Sequence, residues 1–250
     1  MSKEKLWMVF GKYIILNIRK MINKITTLLK SKNKKDLILP LFWLRETYSQ
    51  NWEDIILLSN ISKNNWIYVD IWANHPTKLN NFYLFYKRWW TGINVEPNYM
   101  LYSKIVKKRP RDINLNIWVW NWEKLNFYIL DNHVLSTFDK NTVDDYISMW
   151  HSVLEEKVVE TIPLEKLFDQ YIGERTIDIM SVDVEWFDME VLKTNNWDKY
   201  KPEYIVLETL EYKTDNTAKK TNSMFDEYLF ERWYEKLADT YINTIYKLIK

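Results

Sequence analysis

A chain of 250 residues with three glycines has almost no residue free to make a left-handed turn. At the usual share of about 7%, roughly 17 glycines would be expected in a chain this long. Fourteen tryptophans stand beside the three glycines, and the two types together come to 17. The stretch Val69-Asp-Ile-Trp-Ala-Asn-His-Pro76 carries the consequence. It reads as a buried strand running into a loop, the usual opening of a nucleotide-binding βα unit. The bulkiest side chain occupies the place where the backbone must fold tightly.

The length suits one α/β domain with a short appendage. Absence of Cys excludes disulfides, thiolate metal sites and thiol nucleophiles. Three histidines are too few for a His-rich metal cluster, and no metal is expected. Charge is divided unevenly. Residues 1–35 carry ten Lys and Arg against Glu4 alone, a net +9. Residues 36–250 carry 25 against 33 acids, a net −8, which disfavours nucleic acid as a partner. In the basic tail, Ile14, Ile18, Met21, Ile22, Ile25, Leu28 and Leu29 recur at helical spacing between Arg19, Lys20, Lys24 and Lys30. The run is too interrupted to span a membrane, and it lacks a signal-peptide cleavage pattern. Residues 1–36 therefore read as a basic amphipathic helix with its linker, and 37–250 as the domain proper. The helix either lies in a membrane interface or packs on protein. The expected location is the cytoplasm, with peripheral contact at the inner face of the membrane under the first reading.

Beyond the tail, strands and helices alternate. Strand patterns cover 66–71, 92–96, 113–119, 125–130, 177–184 and 204–208. Helical patterns cover 79–88, 100–108, 164–171, 189–193 and 223–232. A terminal hairpin follows over 234–241 and 244–249. This order predicts an α/β fold with a doubly wound, mostly parallel sheet and a C-terminal antiparallel hairpin.

In such sheets ligands lie at the carboxyl ends of the strands, at the switch point. Three strand ends carry acids. The first strand supplies Asp70. The second ends in Ile93-Asn-Val-Glu-Pro-Asn98, which places Glu96 26 residues after Asp70. An acid at that distance typically accepts hydrogen bonds from ribose hydroxyls. A later strand ends in Met180-Ser-Val-Asp-Val-Glu-Trp186, giving Asp183 and Glu185. Together they point to a nucleoside ligand.

Four stretches carry a family likeness: YSQNWEDIIL (48–57), the run from Tyr68 to Asn98, TIPLEKLFD (161–169) and the run from Ile177 to Glu208. In these the chain resembles the FkbM family of methyltransferases over roughly residues 45–250. The resemblance implies a Rossmann-like class I methyltransferase fold with S-adenosyl-L-methionine as cofactor. It also implies in-line methyl transfer to a hydroxyl of a sugar, glycan or similar small molecule. By the same resemblance Asp70, the loop Trp72, Ala73 and Asn74, and Glu96 frame the cofactor, with Glu96 on the ribose. Asn98 lies close by, Asn121 contacts adenine, and Gln50 and Asp54 close over the site. Asn98 and Asn121 read equally as turn residues, and Asp54 as a helix cap. A hydroxyl is a weak nucleophile and benefits from a general base. The candidates are His75, His133 and Asp183, with Glu185 beside the last; Asp183 and Glu185 read also as caps of the following helix.

The departures from the family pattern are systematic. Where the family has glycine, this chain has Trp at 52, 72, 89, 118, 120, 150 and 186, and by the same comparison at 66, 122 and 233. Trp90 and Trp197 match family tryptophans. A gene that reads UGA as glycine, translated with a UGA-as-Trp table, yields this pattern; UGG codons at 72 and 186 would refute that reading. If the tryptophans are native, the alternative is a non-catalytic glycan- or membrane-associated binding protein with a degenerate cofactor site. No Asn-Pro-Pro-Tyr-type motif for methylating a base is present, and no G-x-G-x-x-G appears even with every Trp restored to Gly.

Overall fold

The computed structural model describes residues 46–61, 66–121, 124–132, 135–184, 187–212 and 218–249. The expected tail helix and linker lie outside these residues. Helix α1 (Glu53–Asn60) precedes β1 (Ile67–Ile71), α2 (Tyr83–Lys87), β2 (Thr91–Val95), α3 (Tyr99–Lys108) and β3 (Ile113–Leu115). Next come β4 (Trp118–Val119), β5 (Leu125–Leu130), α4 (Lys140–Ser148), β6 (Val153–Val159) and β7 (Thr161–Ile162). Helix α5 (Leu164–Tyr171) leads to β8 (Ile179–Val182), α6 (Asp188–Lys193) and β9 (Tyr204–Glu208). The chain closes with β10 (Leu210–Tyr212), β11 (Ala218–Lys220), α7 (Asn222–Phe230), β12 (Tyr234–Asp239) and β13 (Asn243–Leu248).

Strand β1 is buried at nearly every position, so it belongs in the middle of a sheet covered on both faces. It pairs in parallel with β2 on one side and β8 on the other. The seven-stranded sheet runs β12-β13-β9-β8-β1-β2-β3. Five of its strands, β9, β8, β1, β2 and β3, are parallel, and the β12–β13 hairpin adds an antiparallel edge against β9. The expected mixed sheet and terminal hairpin are therefore present. The direction of strand succession reverses between β1 and β8, which opens a crevice at their carboxyl ends. Alternation along the strands sorts the core into two layers. Val69, Ile71, Val95, Val182 and Leu207 face one layer, while Tyr68, Ile179, Tyr204 and Val206 face the other.

Two expected elements differ. The helix expected over 79–88 starts only at Tyr83, because Leu79 takes φ +50° and the Asn80 side chain accepts from Phe82 N at 3.0 Å. The strand expected over 113–119 is two strands. Asn116 Nδ2 donates to the carbonyls of Glu96 and Pro97 at 2.8 and 2.9 Å, which turns the chain away from the sheet. β3 stays in the main sheet and β4 pairs with β7.

Five of the glycine-position tryptophans have left-handed backbones: Trp52, Trp72, Trp89, Trp150 and Trp233, with φ between 67° and 74°. Trp89 and Trp150 each follow a helix end closed by paired backbone bonds. Trp89 N donates to Tyr86 O and Trp90 N to Phe85 O; Trp150 N donates to Ile147 O and His151 N to Tyr146 O. This is the Schellman closure, whose left-handed residue is usually glycine. At 66, 118 and 120 the backbone itself makes no such demand. Trp90 stacks on Phe85, and Trp197 Nε1 donates to Leu192 O, both ordinary uses of an indole. Gly92 is required for space: a Cβ there would strike the Tyr68 ring.

Candidate functional site

A cavity of about 780 Å³ lies where the crevice is expected. Of the sequence-predicted residues, Gln50, Asp70, Trp72, Ala73, Asn74, His75 and Asp183 line it. Glu96, Asn98, Asn121 and Asp54 do not. His133 and Glu185 lie outside the described residues.

Asp70 sits in β1 and is 4% exposed. Its Oδ2 accepts from Asn80 Nδ2 at 3.2 Å and lies 3.8 Å from the Arg109 guanidinium. Burial raises its pKa to about 7, against the opposing pull of Arg109 and Asn80. Arg109 is fully buried; it also donates to Asp112 at 2.8 Å and to Asn80 Oδ1 at 3.2 Å. Asn80 ties the loop together, donating further to Ala73 O at 3.0 Å.

The 72–74 loop runs against the end of β2. Trp72 N and Ala73 N both donate to Val95 O, and Asn74 N donates to Glu96 Oε2 at 2.7 Å. Asn98 N donates to Glu96 Oε1 at 2.8 Å. The Glu96 carboxylate thus clamps the loops after β1 and β2, 1% exposed. Burial raises its pKa to about 8, with the two backbone donors opposing. Asn98 caps α3 by accepting from Met100 N at 3.0 Å, while its buried Nδ2 has no partner among the described residues.

The neighbouring strand ends are also acidic. Asp183 follows β8 and Glu208 ends the adjacent β9; both line the cavity and are hydrogen-bonded to each other. A carboxyl-to-carboxyl bond holds one proton between them. Removal from water raises the Asp183 pKa; the bond to Glu208 opposes this and Glu53 adds to it. Glu208 carried the same strand-end signal as Asp70 and Glu96 but was not singled out, and its pairing with Asp183 comes from strand adjacency. Asn80 and Arg109 were also hidden, because their bond to each other and their contacts with Asp70 join separate segments of the chain.

His75 Nδ1 accepts from Thr77 N and Lys78 N at 3.2 and 3.1 Å, which fixes the ring as a neutral Nε2–H donor. Partial burial and the cations Lys78 and Lys104 lower its pKa. Asp54 is buried in α1, where it accepts from Thr47 Oγ1, Tyr48 N and Ser49 Oγ at 2.7–3.0 Å. It holds the approach to the helix. Asn121 is exposed, with its carbonyl accepting from Thr161 Oγ1. No cluster of three metal-ligating side chains exists among the described residues.

The polar frame suits a ribose: a buried carboxylate beside an unpartnered amide donor. What does not suit S-adenosylmethionine is Trp72, an indole in the loop that the resemblance sets against the cofactor. The Trp72 indole is 8% exposed and meets Trp118, Phe127 and Phe138 edge-on, with ring centres 5.0, 5.7 and 6.2 Å away. It lines the cavity, which Glu96 does not. The family model of the methyltransferase FkbM domain matches residues 70–239, more than half of the chain. No curated protein matches it.

Proposed function

The chain belongs to the FkbM methyltransferase family, and from that membership we propose an S-adenosylmethionine-dependent O-methyltransferase acting on a sugar or glycan-like hydroxyl. The sheet order supports a Rossmann-like class I fold, with β1 at the switch point. The observation that carries the reaction is the Asp183–Glu208 pair, set at paired strand ends on the cavity wall, on the strands beside Asp70. A carboxyl pair sharing one proton is suited to take a hydroxyl proton onto Asp183 as the oxygen becomes a nucleophile. Neighbouring polar groups, among them Gln50 and His75 through Nε2–H, orient the acceptor. When bound, S-adenosylmethionine supplies an activated methyl group. The basic tail, residues 1–35, is proposed to hold the enzyme at an anionic membrane face in the cytoplasm.

One observation favours a second reading, a non-catalytic glycan binder: the Trp72 indole closes the donor side. The test uses the full chain and its Trp72→Gly variant with methyl-labelled donor and a panel of saccharides. Label should pass to a hydroxyl in the Trp72→Gly protein. Asp183→Asn in that background should lower kcat by about 10²–10⁴, the usual worth of a general base. Donor binding without transfer to any saccharide would favour the binding protein.

A further inference from the structure

We propose that the Trp72 indole occupies the purine seat of this protein's own donor site, an intramolecular stand-in for adenine. The inference rests on the methyltransferase reading above. An indole is a flat bicyclic ring close to a purine in size and shape. Here it is enclosed by aromatic rings. Trp118 and Phe127 meet it at interplanar angles of 82°, and Phe138 at 72°, so three rings turn their edges or faces to it. Trp118 and Phe138 stack on each other at 4.6 Å and form a continuous wall.

The groups suited to a ribose lie against the same loop. Trp72 N is bonded to Val95 O, one residue before Glu96, and Asn74 N is bonded to the Glu96 carboxylate. That carboxylate accepts two backbone donors and retains lone pairs for hydroxyls. Asn98 Nδ2 is buried, 1% exposed at the residue, and lacks an acceptor among the described residues. A buried amide donor without a partner is a costly arrangement that a ligand oxygen would relieve. Trp72 belongs both to the cavity wall and to the aromatic cage, whereas Glu96, Asn98, Trp118, Phe127 and Phe138 are absent from the cavity lining. Removing this one side chain would extend the cavity into the aromatic cage, beside the loop that Glu96 clamps. The backbone favours the exchange, because φ at 72 is +72°, a conformation that glycine adopts at no steric cost and asparagine tolerates.

Calorimetry with S-adenosylhomocysteine and adenosine tests this on the full chain, Trp72→Gly and Trp72→Asn, with free indole as the control probe. Far-ultraviolet circular dichroism and urea unfolding establish that each variant is folded, and asparagine serves if glycine loosens the loop. Both variants should bind both nucleosides, and the unsubstituted chain neither. Adding Glu96→Gln to Trp72→Gly should weaken nucleoside binding and leave indole binding unchanged. Equal binding by the unsubstituted chain would overturn the stand-in and leave the methyltransferase reading intact. Folded variants that bind indole but neither nucleoside would overturn both, because the ring would then have left only a packing void.

Discussion

Trp150 is a side chain at odds with its backbone. It is 96% exposed, so its indole gains little from burial, yet φ is +70°. A left-handed conformation costs an L-residue about 1–2 kcal/mol, and glycine's extra unfolded freedom offsets about 0.5–1 kcal/mol of that. Trp150→Gly should therefore stabilise the protein by about 0.5–1 kcal/mol, read as a higher urea midpoint at constant slope. Trp89 has the same backbone but lies 4.5 Å from the Arg111 guanidinium, so its gain should be smaller. Glu96 predicts a pH effect. Folding raises its pKa from the ordinary 4.5 to about 8, so the folded state holds the proton more tightly. Its contribution to stability is fully present below pH 4.5 and is lost as pH rises through about 8. In that window stability should fall by up to about 1.4 kcal/mol per pH unit from this group. Glu96→Gln should flatten that slope in urea titrations at successive pH values; an unchanged slope would refute the assignment. Asp70 and Glu96 were legible because strand ends and a spacing of 26 residues mark them. Arg109 was not, since a buried guanidinium is specified by Asp112, Asn80 and Asp70 together and by no local pattern.

At the level of elements, Glu53 joins the first described helix to the last hairpin. Fully buried in α1, it accepts from Thr240 Oγ1 at 2.6 Å and Asn243 Nδ2 at 2.9 Å, across the turn between β12 and β13. It also accepts from Asn51 N at 2.8 Å. Glu53→Ala removes the acceptor of the buried Asn243 amide and one of the two acceptors of Thr240 Oγ1, and should cost about 1.5–3 kcal/mol. Hydrogen exchange should speed up in α1 and in the 240–243 turn together. Faster exchange in only one of them would separate the two elements. The parallel strands were readable because a strand buried on both faces is a continuous apolar run, as in β1, β8 and β9. The segment 140–159 was not. α4 buries only Val143, and β6 is exposed over most of its length, so neither leaves a periodic apolar trace. The break between β3 and β4 was hidden because one amide, Asn116, decides it through carbonyls about 20 residues away.

Across the whole molecule, charge and sheet order act on different functions. The tail carries +9 and the remainder −8. Each Lys or Arg near an anionic surface contributes about 1 kcal/mol, screened over about 10 Å at 0.1 M salt. The full chain should sediment with anionic liposomes, less so at high salt, and a chain lacking residues 1–35 should not. Equal sedimentation of the two would remove the anchor. Among the described residues no helix is long and apolar enough to cross a membrane. The sheet order brings Asp70, the 72–74 loop, Asp183 and Glu208 to one rim from strands far apart in sequence. The Trp72–Trp118 contact at that rim has an optical consequence. Two strong chromophores with centres 5.0 Å apart and planes at 82° couple their electronic transitions, giving a paired band in ultraviolet circular dichroism. Any ligand that moves the Trp72 ring out of its cage will abolish that band, so the protein reports the opening of its own site without a label.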